Sequence, residues 1–311
     1  PSNYKVLFVQ GGGSTQFAMV AQNLGINRKK AAYIETGVWA KKAAAEAKHL
    51  GVEVDVIASS KDKNYSYIPR VEKVSGDYDY VYVCFNNTIM GTHYEYIPET
   101  GNIPLVADMS SCILSEEIDV SKFGLIFAGA QKNLAPAGVT LVIVREDLIP
   151  EPEKCLPGTP TMSMYKTHSE NGSMYNTPPC YTIYVLDKVL NWIEKNGGAK
   201  GINKLNVEKA EYLYNYLDNS EFYHATTEKG SRSLMNVPFL TKYSDNDGSE
   251  EAQAKEKAIN SKFVKEAEAA GLVNLKGHRL VGGMRASIYN AMTMDGVKAL
   301  VKFMEEFAKN N

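Results

Sequence analysis

Cysteine and histidine are scarce in this chain, and the few present are scattered. Its 311 residues hold four cysteines and five histidines. Cys84, Cys112, Cys155 and Cys180 lie far apart with no Cys-x-x-Cys pair. They read as reduced, mostly buried thiols, not as a disulfide frame or a zinc site. The histidines lack metal-ligand spacing, so a metalloenzyme is not expected. An excess of one charge is missing too: 34 basic residues against 36 acidic ones leave a net charge of -2. Nucleic acid or an anionic membrane as main partner would favour a concentrated basic surface. No apolar run approaches membrane-spanning length, and Pro1-Ser2-Asn3-Tyr4-Lys5 has no signal-peptide pattern, so the cytoplasm is the expected compartment.

What the chain does have is alternation. Short apolar runs occur at Lys5–Gln10, Ala31–Glu35, Val52–Ile57, Tyr80–Phe85, Pro104–Asp108, Gly124–Ala128 and Thr140–Arg145. Helix-compatible stretches such as Thr15–Leu24 and the alanine-rich Ala40–Leu50 lie between them. This predicts a largely parallel sheet covered by helices on both faces. At 311 residues the chain is long for one domain. The helical spacing of Ile183, Leu186, Val189, Leu190 and Ile193 stops at Gly197-Gly198, and the texture then changes. Helices are expected at Val207–Leu217, Gln253–Ala270 and the chain end, with strands at Ser233–Thr241 and Arg285–Tyr289. We therefore expect an α/β protein with a large domain over 1–198 and a smaller C-terminal α/β domain over 199–311.

In such a sheet, function gathers at the carboxyl ends of the strands. Gly11-Gly12-Gly13-Ser14-Thr15 follows the first strand and opens a helix. Its glycines admit backbone N–H groups to an anion, and the helix start adds a positive dipole end, so a phosphate suits it. Neither nucleotide fingerprint fits, since no Gly-Lys-Ser/Thr follows and Gln16 stands where a third glycine is required. The plainer alternative is a tight turn with a hydroxyl N-cap.

Asp108 ends the strand PLVAD, and Lys132 follows the strand GLIFAG. A pyridoxal cofactor needs a lysine for its aldehyde and a carboxylate to keep its pyridine nitrogen protonated. That lysine must also act as a neutral base, which a crowded, desolvated site promotes. An N-capping aspartate and a solvated lysine are the alternatives; the apolar strand before each residue weakens both. Trp39 offers a flat face to a ring or is simply a core aromatic. Thr88 reaches a phenolic oxygen or shapes a loop. His278, Arg279 and Arg285 suit a doubly anionic substrate, with Gly282-Gly283 letting the chain turn between the arginines. The alternative is a pair of surface arginines.

Taken together these segments resemble the phosphoserine aminotransferases, fold-type-I enzymes that use pyridoxal 5'-phosphate. The likeness runs along the whole chain. It is densest in VLFVQGGGSTQFAMV, TGVWAKKAAAEAK, ADMSSCILS, VSKFGLIFAGAQKNLAPAGVTLVIVR, MYNTPPCYTIYV and KGHRLVGGMRASIYNAM. The resemblance implies a mostly parallel-sheet large domain of aspartate-aminotransferase type. It implies that Lys132 holds the cofactor as a Schiff base, Asp108 pairs with the pyridine nitrogen, Trp39 stacks on the ring and Thr88 faces the phenolic oxygen. Gly13, Ser14 and Gln131 would hold the cofactor phosphate, joined by Asn176 and Thr177 of a neighbouring subunit, so a homodimer with shared sites is implied. His278 and Arg279 would bind the substrate's phosphate or distal carboxylate, and Arg285 its α-carboxylate. The implied reaction moves an amino group between glutamate and 3-phosphohydroxypyruvate, giving phosphoserine and 2-oxoglutarate for serine biosynthesis. Family members start several dozen residues earlier, with a Ser-Ala-Gly-Pro-like stretch and a Ser-His-Arg motif, whereas this chain opens at PSNYKVLFV. Some also carry an arginine where Ser14 stands. The competing expectations are a related small-acid aminotransferase, or a truncated, weakly active cofactor-binding or assembly form.

Overall fold

The computed structural model describes residues 1–311. In chain order its elements begin with β1 (Tyr4–Gln10), α1 (Gly13–Leu24), β2 (Lys30–Glu35), α2 (Val38–His49), β3 (Glu53–Ser59) and β4 (Tyr80–Cys84). A two-stranded hairpin follows, β5 (Asn86–Asn87) and β6 (Thr92–His93), then β7 (Leu105–Asp108), β8 (Leu125–Gly129) and β9 (Val139–Arg145). Next come α3 (Tyr165–Glu170), α4 (Cys180–Lys195), α5 (Gly198–Asp218), β10 (Tyr223–Ala225), β11 (Asn236–Thr241), α6 (Glu250–Ala269), β12 (Met284–Ser287) and α7 (Met294–Lys309).

Seven strands form the main sheet in the order β1-β9-β8-β7-β4-β2-β3. Strand β9 runs antiparallel to both of its neighbours, so the other six share one direction. The central strands β4, β7 and β8 are buried at every position. Alternation along β4 divides its side chains between two cores. Tyr80, Tyr82 and Cys84 join Phe17 and Phe127 on one face, while Val81 and Val83 join Ile34 and Ile126 on the other. The sheet is therefore covered on both faces, as the strand pattern predicted.

A third core is built wholly from residues between Ala210 and Phe307. It packs the antiparallel sheet β10-β11-β12 against α5, α6 and α7. The helix stop at Gly197-Gly198 is present, since both glycines have positive φ, 88° and 68°. Helix α5, however, starts there and not at Val207. Its first turns carry their own reason to be helical: Ile202 is buried, and Asn203 and Asn206 donate to Ser115 O of the large sheet's loops. Strand β12 begins one residue earlier than Arg285 and ends at Ser287.

Candidate active site

Five strands deliver side chains to one pocket at their carboxyl ends. The pocket is lined by Gly13 and Ser14 after β1, Trp39 after β2, Thr88 after β4, Asp108 at the end of β7, and Gln131 and Lys132 after β8. The connection from β1 to β2 crosses the sheet, because four strands separate the two. That crossing puts the start of α1 beneath β8. A Cβ added at Gly13 would stand 3.0 Å from Ser110 Oγ, so a side chain there would press on the serine that bridges Asp108 and Gly129. Gly12 provides no side-chain cap, and the first N–H groups of α1 open toward the pocket without an acidic neighbour in that turn.

Lys132 Nζ donates to Thr88 Oγ1 at 2.7 Å. Burial lowers its pKa below the usual lysine range; Asp108 and the thiols of Cys84 and Cys112 oppose the shift, and Arg285 adds to it. The lysine is thus prepared to shed its proton. Asp108 is 7% exposed, and burial raises its carboxyl above the usual aspartate range. Ser110, from its backbone and side chain, and Lys132 pull it back down. Ser110 N donates to Asp108 Oδ1 at 2.9 Å, and Ser110 Oγ accepts from Gly129 N at 3.0 Å. One serine therefore ties the acidic residue to the strand that carries the lysine. Sequence reasoning had not singled out Ser110. Its only signal was its place two residues after Asp108, and its partner Gly129 is remote in the chain.

Thr88 sits on the β5–β6 hairpin, which rests on a buried amide network. Asn87 Nδ2 donates to Thr36 Oγ1 and Thr92 Oγ1, and Asn86 Nδ2 donates to Ser111 Oγ and Asn236 Oδ1. Gly91, at φ 75°, lies against Pro238 of β11, where a Cβ would fall 2.2 Å from the proline ring. The hairpin is in this way clamped between the large sheet and the small one.

Arg285 on β12 donates from Nη1 to Thr88 O at 3.3 Å, while its buried Nε has no partner. His278 lies in the tight loop Gly277–Gly283, where its Nδ1 accepts from Leu280 N at 3.2 Å. Arg279 does not line the pocket; it opens onto a separate cleft beside α6 with Lys257, Lys265 and Lys276. Asn176 and Thr177 also lie apart from the pocket, both exposed, with Asn176 against Met162 and Thr177 O accepting from Gln10. The structure thus brings together Gly13, Ser14, Trp39, Thr88, Asp108, Gln131, Lys132 and Arg285, and leaves His278, Arg279, Asn176 and Thr177 outside that group.

A lowered lysine, a buried carboxylate and an anion-ready helix start at the mouth of a doubly covered sheet define an aminotransferase site. In agreement, the chain matches the family model "Aminotransferase class-V" over residues 1–300. A phosphoserine aminotransferase of Listeria monocytogenes serotype 4b (strain F2365) is 56% identical over 309 residues, covering 99% of this chain and 80% of the relative. The solved phosphoserine aminotransferase of Bacillus circulans subsp. alkalophilus superposes with a TM-score of 0.91 at 45% identity, covering 100% of this chain and 82% of that one. The PLP-bound phosphoserine aminotransferase of Trichomonas vaginalis gives 0.89 at 37% identity, covering 98% and 83%. The chain belongs to the phosphoserine aminotransferase family.

The donors present fit a phosphorylated pyridine aldehyde. The indole Nε1 of Trp39 and Nε of Arg285 are buried without partners. Lys132 and Asp108 are buried on opposite sides of the charge balance, and the unpaired N–H groups of α1 complete an anion seat.

Proposed function

We propose that the chain moves an amino group between glutamate and 3-phosphohydroxypyruvate, giving phosphoserine and 2-oxoglutarate in serine biosynthesis, with pyridoxal 5'-phosphate held at Lys132. The observation that carries this reading is the meeting of Lys132, Thr88 and Asp108 in one pocket, with Arg285 bonded to Thr88 O beside it and its Nε left without a partner. When bound, the cofactor supplies an aldehyde that takes up the amino group and a ring that draws electrons from the substrate's α-carbon.

The residues do the rest. Asp108 would keep a proton on the pyridine nitrogen through a charge-assisted hydrogen bond. Trp39 would pack on the ring, Thr88 would donate to its phenolic oxygen, and Gly13, Ser14 and Gln131 would hold the phosphate. Lys132, its proton loosened by burial, would move a proton between the substrate α-carbon and the cofactor's C4' atom. Arg285 would grip the α-carboxylate, with His278 and Arg279 toward the distal anion. Asn176 and Thr177 are exposed on the face that also bares Met174, Tyr175, Tyr181 and Tyr184, which supports a homodimer in which they serve the partner's phosphate. The same reading divides the chain into a cofactor-holding unit, 1–198, and a smaller unit, 199–311, supported by the self-contained third core. Four unpaired cysteines and the absence of any helix long and apolar enough to cross a membrane support a cytoplasmic setting.

Borohydride reduction of cofactor-loaded protein followed by peptide mapping tests the attachment. A pyridoxyl mass on Lys132 is expected, and phosphoserine alone should convert the bound cofactor to its amino form. An adduct on another lysine, or conversion by alanine or serine but not phosphoserine, overturns the reading.

A further inference from the structure

Lys209 on α5 is the only lysine among the buried residues, with 2% of its surface exposed. No carboxylate meets it. Its ammonium donates instead to the backbone carbonyls of three consecutive residues just beyond β12: Ile288 at 3.3 Å, Tyr289 at 3.0 Å and Asn290 at 3.4 Å. Burial lowers its pKa to about 8, so it is still a cation at neutral pH. A buried charge is costly, and an apolar side chain of similar length would fill the space without that cost. What the ammonium adds is positive charge between carbonyl oxygens that would otherwise repel one another. Carbonyls gathered in this way are the donor set that takes a dehydrated potassium ion. A cavity of about 160 Å³, lined by Trp192, Leu205, Met292 and Asn290 among others, lies against Lys209 and gives a small ion room to reach that place.

The segment that Lys209 gathers also holds the loop that carries Lys132. Asn290 is 4% exposed, and its backbone N donates to Asn133 Oδ1 at 3.1 Å. Its side chain is engaged at both ends: Nδ2 donates to Leu114 O at 3.0 Å, and Oδ1 accepts from Asn206 Nδ2 at 2.9 Å. Asn133 Nδ2 donates to Ile113 O at 3.1 Å. The residue after Lys132 is thereby pinned from two sides, by the segment after β12 and by the turn after β7. We propose that Lys209 is a positioning residue: its ammonium acts as a built-in monovalent cation that fixes the carbonyls of 288–290 and, through Asn290 and Asn133, the place from which Lys132 works. The proposal rests on the reading of Lys132 given above. Arg285 is held separately, by its pairing with Pro238 across β11 and β12, so the effect belongs to turnover more than to substrate binding.

The test compares cofactor-loaded wild type, K209A and K209M in potassium and in sodium chloride at equal ionic strength. Rates are taken per loaded site, from the cofactor's absorbance, so a loss of folded protein alone leaves them unchanged. K209A leaves room for an ion; K209M fills the room and carries no charge. In sodium, both variants should lose about tenfold in kcat with phosphoserine and 2-oxoglutarate, while KM changes by less than about threefold. Potassium should bring K209A back to within about threefold of wild type and leave K209M and wild type as they were. Thermal melts of the cofactor-free proteins give a readout apart from activity: potassium should raise the midpoint of K209A alone. N133A then tests the path, because it cuts the link to the Lys132 loop without touching Lys209. The kcat of K209M/N133A should lie within about twofold of N133A. If K209A does not load with cofactor, that comparison decides. A K209A enzyme indifferent to potassium in rate or melt, a K209M enzyme as fast as wild type, or losses in K209M and N133A that multiply each overturn the assignment. A wild-type enzyme inert toward phosphoserine, or a pyridoxyl adduct away from Lys132, instead overturns the parent reading, a result distinct from any pattern among the variants.

Discussion

Asp108 occupies a position that is costly for a carboxylate: almost no exposure, only Ser110 to offer it hydrogen bonds, and no cation in direct contact. Burial accordingly raises its pKa. A cationic pyridine ring beside it would reverse that balance and hold it ionised, which is how an expensive burial becomes useful electrostatics. Asn at this position keeps the shape and the acceptor for Ser110 N but loses the charge. We expect D108N to unfold within a few degrees of wild type and to turn over about 10²–10³-fold more slowly, the range for losing one preorganised electrostatic partner. Steady-state kcat and a thermal melt check the two halves; a kcat within tenfold of wild type would count against the role. Asp108 and Lys132 were legible in the sequence because each follows an apolar strand whose direction fixes where the next residue goes. Ser110 was not, because its hydrogen bond to Gly129 N exists only once β7 and β8 are paired.

The long strands and helices were legible for the same reason: their apolar period is local. Elements defined by their partners were not. The two-residue strands β5 and β6 and the three-residue β10 carry too little pattern to be seen, and the first turns of α5 are stabilised by contacts to Ser115. Helix α5 also conceals Lys209. Its side chain is 2% exposed, and its ammonium donates to the carbonyls of Ile288, Tyr289 and Asn290 at 3.3, 3.0 and 3.4 Å. Asn290 N in turn donates to Asn133 Oδ1, next to Lys132. Lys209 thus joins α5, the segment after β12 and the loop that carries Lys132. Burial lowers its pKa from 10.5 to about 8. Between those values the unfolded chain binds the extra proton, so this group's contribution to stability rises with pH across that window. Urea unfolding of wild type and K209M at pH 7.5 and pH 10 should show wild type gaining on the variant at the higher pH. A gap that stays constant would mean that Lys209 titrates normally.

At the scale of the whole molecule, two of the expected cofactor residues stand outside their own pocket. Asn176 and Thr177 precede α4 on a surface that exposes Met174, Tyr175 and Tyr181, 67%, 51% and 72% accessible, more apolar area than an isolated loop needs. A two-fold interface is self-complementary, so a loop that leaves one pocket empty-handed can enter the partner's, and the partner's can return the favour. The proposed shared site makes a prediction that a monomer cannot imitate. In that dimer K132A would destroy the site in its own subunit, while N176D would place a carboxylate against the phosphate in the neighbouring one, where like charges repel. Each variant alone should be nearly inactive. In a mixed dimer, one site inherits both defects and the other inherits neither. After unfolding and refolding an equal mixture, half the dimers are mixed and each has one intact site, so about a quarter of wild-type activity should return. Recovery that stays at the level of the separate variants would mean that each subunit builds its pocket alone. Nothing in a single chain's periodicity could have exposed this, since the proposed relation would lie between Asn176 of one copy and Lys132 of another.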